Sequence, residues 1–378
     1  MDIRERIDGL VAEAVREGQA PGIVAAVATG DEIHVARAGV MAVDGPPMRF
    51  DALFRIASIS KPMTAAAVLS LVQDGLLELD GPVDALLPEL ADRRVLREPD
   101  GPLDDTVPAR RPVTVRDLLT FTWGFGMQGA MFAAEEPWPI VTAAQERELH
   151  TFEPPRPADM LDPDTWMARL GELPLMAQPG ERWLYQSGAQ VLSVLASRAA
   201  EAPLDEVLRT RVFEPLGMRD TAFHSSETDR IPTAYARIDG ELTVTDPPDG
   251  QWSRPPAFSD GSACLLSTAR DVVAFGRMLL RGGGPVLRPE MAAEMTRNQL
   301  TDEQRSRVWP GFDLLDGRGW GYGLSIYDGC YGWDGGLGTA WANDPARDLT
   351  VVVMTQRAWD ETGPPAVCAD VLAAARAA

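Results

Sequence analysis

Ser58 and Lys61 stand three residues apart in the stretch Phe54-Arg55-Ile56-Ala57-Ser58-Ile59-Ser60-Lys61-Pro62-Met63. If a helix begins at Ser58, both side chains lie on one face, one turn apart. A serine hydroxyl is a poor nucleophile until a neighbouring base takes its proton. A lysine is such a base only where desolvation or nearby positive charge lowers its pKa. A helix start adds free backbone N–H groups and the positive end of the dipole, which suit an anionic intermediate. The same spacing also fits a plain helix cap with an exposed lysine, and the motif alone does not separate the two.

Two further stretches carry side chains of chemical interest. In Glu181-Arg182-Trp183-Leu184-Tyr185-Gln186-Ser187-Gly188, Tyr185 sits at a corner between Pro179-Gly180 and a helical pattern. A core tyrosine with a locally satisfied hydroxyl fits that place as well as a reactive one. In Gly332-Trp333-Asp334-Gly335-Gly336-Leu337-Gly338-Thr339, glycines interrupt a strand pattern. Such glycines mark a tight hairpin or a close approach of backbone to a ligand. Asp334 could meet a cationic substrate group or cap the turn.

The elements that must position these residues follow from periodicity. Residues 2–18 carry Ile3, Ile7, Leu10, Val11 and Val15 on one helical stripe. Residues 22–29 and 32–40 are β-rich around Gly30-Asp31, a hairpin signal. Met63 to Gln73 is a strongly apolar helix, with Pro62 tolerated in its first turn and Gly75 at its end. Residues 76–112 are loop-rich, and Thr114 to Thr122 opens with a capping box. Residues 124–164 are irregular, whereas 188–200, 203–212 and 268–281 are helical. Residues 320–328, 330–343 and 349–356 read as strands and 365–378 as a closing helix. Strands cluster at both ends of the chain and helices fill the middle. That order predicts one α+β (α/β) fold: a sheet built from both termini, flanked by helices, with a mainly helical domain inserted. The expected units are 1–57 with 285–378 for the sheet and 58–284 for the helices, with the active site at their interface.

Composition narrows the function. The chain has 378 residues, 45% of them hydrophobic and 24% charged, so a large core is available. A net charge of −21 repels nucleic acid and anionic membrane surfaces, and neither is expected as a partner. No run is long and apolar enough to span a membrane, and the N-terminus lacks the pattern of a signal peptide. Cys264, Cys330 and Cys368 are too few and too far apart for a disulfide framework or a zinc site. A cytoplasmic protein without metal or other cofactor is the expectation. His34, His150 and His224 are too scattered for a metal signature. Gly124-Phe-Gly126-Met-Gln-Gly129 matches G-x-G-x-x-G, but a helical pattern precedes it and irregular chain follows, so these glycines read as loop geometry rather than a dinucleotide site.

The three stretches, in this order and spacing, resemble the serine β-lactamase and penicillin-binding-protein superfamily on its class C and esterase side. Ser58 to Lys61 stands where that family has S-x-x-K, Tyr185 where it often has Y-x-N, and Gly332 to Thr339 where β-lactamases have K-T-G and related esterases W-G-G or H-x-G. The flanks Val113 to Thr122, Leu266 to Asp271 and Asp344 to Val353 resemble it too. The resemblance implies a β-lactamase-like fold and an acyl-enzyme on Ser58. It implies that Lys61 and Tyr185 handle the proton, Tyr185 on the phenolate side with Lys61 holding its pKa down. The oxyanion would meet the backbone N–H groups of Ser58 and Gly336. Two departures bear on substrate. Trp333 replaces the lysine of K-T-G, removing a cation that would pair with a substrate carboxylate, and Ser187 replaces the longer asparagine of Y-x-N. The implied activity is that of an esterase or amidase on a small ester or amide. The alternatives are an acyltransferase or amide synthase of secondary metabolism, a D-aminopeptidase or weak β-lactamase, and a ligand-binding member without turnover.

Overall fold

The computed structural model describes residues 2–306, 315, 317–360 and 363–378. Its centre is a seven-stranded sheet made of β1 (Gly22–Thr29), β2 (Glu32–Gly39), β3 (Gly319–Trp320), β4 (Ser325–Tyr327), β5 (Cys330–Gly335), β6 (Thr339–Asp344) and β7 (Leu349–Thr355). The spatial order is β2-β1-β7-β6-β5-β4-β3, and every neighbouring pair is antiparallel. Both chain ends therefore meet in one sheet, as the sequence order predicts.

The sheet is covered on both faces, which is why β1 and β7 are continuous apolar runs rather than alternating ones. Successive side chains point to opposite faces. Ile23, Ala25, Val351 and Val353 face the N-terminal helix (Ile3–Arg16) and the C-terminal helix (Val367–Arg376), meeting Ile7, Val11 and Val371. Their neighbours Val24, Ala26, Val352 and Met354 face the main core, which includes Val272, Val273 and Phe275. Those three belong to helix Ala269–Leu280, which packs on this side of the sheet although it lies within the span 58–284.

Helix Ser60–Gln73 is apolar all round, and every residue from Ser60 to Leu71 is buried. A helix of that composition is stable only inside a core. It packs against helix Ser187–Ala200. The apolar run expected to be one strand over 320–328 is broken into β3 and β4 by a turn through Gly323, whose φ is +75°. A Cβ at Gly323 would come within 2.9 Å of Ala65 Cβ and 3.1 Å of the Lys61 carbonyl oxygen, so this turn seats the sheet against the lysine-bearing helix. The segment 124–164 is less irregular than its composition suggests: it contains helices Gly129–Ala133 and Pro139–Glu146. Proline at the first helical position is compatible with a helix, because the early N–H groups lack partners anyway. The hairpin of Ala234–Ile238 with Glu241–Asp246 borders the cleft described next.

Candidate active site

Ser58 lies in a 3-10 turn, Ala57–Ile59, immediately ahead of helix Ser60–Gln73. Ala57 has φ +46°, a left-handed conformation that costs a residue with a Cβ about 1–2 kcal/mol. The bend is fixed by the Ser60 hydroxyl, which donates to the Ala57 carbonyl at 2.7 Å. Ser58 emerges from it into a cleft of about 700 Å3. The cleft walls include Met127, Pro154, Pro155, Trp252, Leu337 and Trp359.

Lys61 is 1% exposed. Its Nζ donates to Ser58 Oγ at 2.9 Å and to the Ser262 carbonyl at 2.8 Å. Burial brings its pKa down to about 7, against the opposing influence of Asp260 and Cys264. Near neutrality much of Lys61 is therefore free amine, one hydrogen bond from the serine hydroxyl. The plain helix-cap alternative for this motif fails on burial, since the lysine is inside rather than in solvent.

Tyr185 is held from two directions. Its backbone exchanges a pair of 2.8 Å hydrogen bonds with Met127. Gln186, the next residue, has φ +83° and ψ −68°, and the Ser187 N–H donates to the Tyr185 carbonyl at 3.2 Å, closing a γ-turn. The glycines of the G-x-G-x-x-G run take part in this: a Cβ on Gly126 would lie 2.4 Å from the Tyr185 carbonyl oxygen. The phenol faces Ser58 and accepts from the Trp333 indole N–H at 2.7 Å. Burial pushes its pKa up, and the influence of Ser58 and Trp333 only partly offsets that. Lys61 Nζ lies over the ring, 4.6 Å from its centroid, and its hydrogen bonds go elsewhere. Burial thus works against a tyrosinate kept ionised by Lys61: it favours the free amine of the lysine and the protonated phenol of the tyrosine.

Trp333 belongs to an aromatic cluster with Phe121, Trp183, Tyr185 and Trp320. The Trp320 and Trp333 rings meet edge-on at 4.8 Å between centroids. Gly336 lines the cleft, and nothing lies within 4 Å of where its Cβ would be. Among the described residues, neither the Gly336 nor the Ser58 backbone N–H has a protein acceptor. Ser187 is buried; its hydroxyl donates to the Phe125 carbonyl at 2.5 Å and accepts from Trp123 Nε1 at 3.1 Å, so it is committed to the core.

Asp334, placed by the sequence either against a cationic substrate group or at a turn, is not among the residues that line the cleft. It follows Trp333 on β5, so its side chain leaves the opposite face of the sheet. There it sits beside Ala340 of β6, which packs with the terminal helices, and influences Tyr327 and Cys368. Burial pushes its pKa up to about 6, with Arg318 at 3.9 Å opposing.

Sequence reasoning missed Asp260 and Ser262. Asp260 is 3% exposed and Ser262 0%. No motif announces them, because their importance depends on a loop folding back over Lys61. The run Asp260-Gly-Ser, polar and small just ahead of the apolar Ala-Cys-Leu-Leu, was the available signal.

A serine hydroxyl, a buried lysine and a buried tyrosine on a sheet-and-helix scaffold of this topology define a serine acyl-transfer enzyme. The chain belongs to the Beta-lactamase family, whose pattern it matches over residues 7–373. An uncharacterized protein of Mycobacterium tuberculosis is 36% identical over 84% of this chain and 80% of its own length. Esterase EstB of Burkholderia gladioli is 31% identical over 94% of this chain and 91% of its own length. Among solved structures, that titled "EstCE1, a hydrolase with promiscuous acyltransferase activity" superposes with a TM-score of 0.81, covering 99% of this chain and 98% of that one, at 23% identity. That likeness shows the fold. Family and relatives together make this chain a serine hydrolase of the esterase or acyltransferase kind. No helix among the described residues is long and apolar enough to cross a membrane.

Proposed function

We propose that the protein is a serine esterase that forms its acyl-enzyme on Ser58, with Lys61 as the base. One observation carries this reading: the amine of Lys61, a residue 1% exposed, lies 2.9 Å from the serine hydroxyl, in surroundings whose burial brings its pKa down to about 7. A base that titrates near the working pH is the effective one. As Ser58 Oγ attacks an ester carbonyl, its proton passes to Lys61 Nζ. The oxyanion is received by the backbone N–H groups of Ser58 and Gly336, each such donor being worth about 2.7–4 kcal/mol of barrier. The Tyr185 phenol gives its proton to the leaving alkoxide, and the Trp333 N–H stabilises the phenolate left behind. The phenolate then takes a proton from the incoming water, which restores the phenol, and Lys61 Nζ returns its proton to Ser58 Oγ as the acid leaves.

The substrate reading rests on the cations that border the cleft. Arg55 is buried and committed: it donates to Asp246 at 2.9 Å and to the Pro232 and Pro247 carbonyls at 2.7 and 3.1 Å. Arg156 pairs with Asp159 at 2.7 Å. With Trp333 in place of a lysine, these supply no dedicated partner for a substrate carboxylate. That supports uncharged esters or amides over β-lactams and D-alanine termini. The reading places the site between the sheet unit, 1–57 with 285–378, and the helical unit, 58–284, and the enzyme in the cytoplasm, where its three buried free cysteines would stay reduced.

The test is turnover of p-nitrophenyl acetate and butyrate, with Ser58→Ala beside the parent. Intact mass should show one acyl group on the parent and none on the variant. Unchanged activity in Ser58→Ala overturns the assignment. Adding an alcohol or amine acceptor and counting ester or amide against acid separates hydrolysis from acyl transfer.

A further inference from the structure

The side chain of Asp260 is buried next to the catalytic amine without touching it. Its Oδ1 accepts the Ser262 backbone N–H at 2.7 Å, and its Oδ2 accepts Gln190 Nε2 at 3.3 Å. Its own carbonyl accepts the Cys264 N–H at 3.2 Å, which closes the loop 260–264 on itself. That loop is anchored to both flanking helices. The Thr64 hydroxyl donates to the Gly261 carbonyl at 2.8 Å, and the Gly261 N–H donates to Ser193 Oγ at 3.0 Å. At its middle, the Ser262 carbonyl accepts from Lys61 Nζ. The Ser262 hydroxyl accepts from Gln186 Nε2 at 2.9 Å, and Gln186 lines the cleft.

We infer that Asp260 is a positioning residue for the acylation step: it holds the Ser262 carbonyl against Lys61 Nζ and, as a carboxylate, sets how readily that amine takes the serine proton. The inference rests on the reading of Lys61 as the base. Two physical effects combine. The loop clamp restricts how the amine can turn, because one Lys61 hydrogen is spent on the Ser262 carbonyl while the same nitrogen lies 2.9 Å from Ser58 Oγ. The negative charge favours the ammonium form and opposes the desolvation that favours the amine.

The other groups that face this pair do not replace the carboxylate. Burial pushes the Cys264 thiol well up, which keeps it neutral, and Tyr185 presents its ring face to Lys61. From helix Ser187–Ala200 come Gln190 and Ser193, and from helix Ser60–Gln73 comes Thr64, none of them charged. Burial raises the carboxyl of Asp260 itself, while the hydrogen bonds from Ser262, the Lys61 charge and Gln190 favour its ionised form.

The experiment compares Asp260→Asn, Asp260→Glu and Asp260→Ala with the parent, using p-nitrophenyl butyrate over a range of pH. Removing the charge lowers the proton affinity of Lys61, so the acid limb of kcat/KM in Asp260→Asn should move to lower pH by about half a unit or more. The kcat plateau should fall because a weaker base is left, with KM changed less than about two-fold. Asp260→Glu, which keeps the charge, should retain the parent limb. Asp260→Ala, which loses the clamp too, should lose more kcat than Asp260→Asn. A folded Asp260→Asn with the parent's limb and kcat overturns the inference. So does equal loss in the Asn and Glu variants with an unmoved limb, which would mark a purely structural loop. If instead Ser58→Ala keeps full activity, it is the esterase reading that has failed.

Discussion

The indole N–H of Trp333 donates to the phenol oxygen of Tyr185 across 2.7 Å, on the side of the ring that faces Ser58 and the cleft. The residue that stands where the resemblance implies a lysine thus donates to the tyrosine proposed to transfer the proton. Trp333→Phe keeps a ring for the edge-on contacts with Trp320 and Tyr185 but removes the donor. A hydrogen bond between neutral groups is worth about 0.5–1.5 kcal/mol, and one to a charged oxygen about 1.5–3. Because the charge develops only during the reaction, kcat on p-nitrophenyl butyrate should fall by roughly ten-fold or more while KM stays within about two-fold. An unchanged kcat would remove Trp333 from the proton path.

Gly335 and Gly336 are adjacent and chemically identical, yet they should respond oppositely to alanine. A Cβ on Gly335 would lie 2.4 Å from the Ile56 carbonyl oxygen and 2.3 Å from Thr339 Oγ1, and Thr339 itself donates to that carbonyl at 3.0 Å. Gly335 is where β5 presses against the turn that carries Ser58. A Cβ on Gly336 meets nothing within 4 Å. Gly335→Ala should therefore lower the melting temperature sharply, by about 1–3 kcal/mol of stability or more, and disable turnover. Gly336→Ala should melt like the parent and, since it keeps its N–H, retain activity within a few-fold. Thermal melts and esterase assays on the two variants check this; equal behaviour would mean the sheet does not seat the serine turn.

The contrast shows what the chain states openly and what it does not. The sheet from both termini is legible because β1 and β7 are mostly apolar and because the hairpin signal at Gly30-Asp31 is local. Ser58, Lys61 and Tyr185 were legible as residue types at helix and corner positions. Their protonation was not, since it depends on burial, which only the packed helix Ser60–Gln73 reveals. The sequence leaves the role of Asp334 open because the two sides of a strand look alike until the partner layers are known: Trp333 faces the aromatic cluster, and Asp334 sits beside Ala340 on the side of the terminal helices. Gly124 and Gly126 have the loop geometry their sequence context implies, whereas Gly129 opens a helix, and the service of Gly126 to Tyr185 is a contact between segments far apart in sequence.

Asp334→Asn should leave turnover nearly unchanged and alter stability instead. The folded protein raises this carboxyl to about 6 from an ordinary value of 3.8, so between those pH values the native state holds a proton that the unfolded chain has released. Stability contributed by the neutral acid is present at low pH and is lost as pH rises through about 6. The asparagine variant should be more stable than the parent at pH 7, by about 1 kcal/mol because the side chain keeps 29% of its surface in solvent, and should match it near pH 4. Melting temperatures at the two pH values decide it. A many-fold loss of kcat in the variant would instead return Asp334 to the cleft.

Lys61 offers the sharpest separation of chemistry from charge. As the free amine it takes the Ser58 proton, so kcat/KM for acylation should fall below about pH 7, where the ammonium takes over. Lys61→Met removes the base and should lose about 10²–10⁴-fold. Lys61→Arg keeps a cation but cannot deliver a neutral base, so it should lose as much. Stability should move the other way. The folded protein lowers this group from 10.5 to about 7, so across that window the unfolded chain binds a proton that the native state lacks. Parent stability therefore rises with pH between about 7 and 10.5, and the cost of the buried ammonium is fully present below that range. Lys61→Met should gain most over the parent at pH 6, on the order of a few kcal/mol less what is lost by leaving Asp260 without a counter-charge, and the gain should shrink by pH 9. Paired melts at these two pH values, with p-nitrophenyl butyrate assays on both variants, test the two halves together. Full activity in Lys61→Arg would show that Lys61 supplies positive charge rather than a lone pair, and the general-base role would then pass to Tyr185.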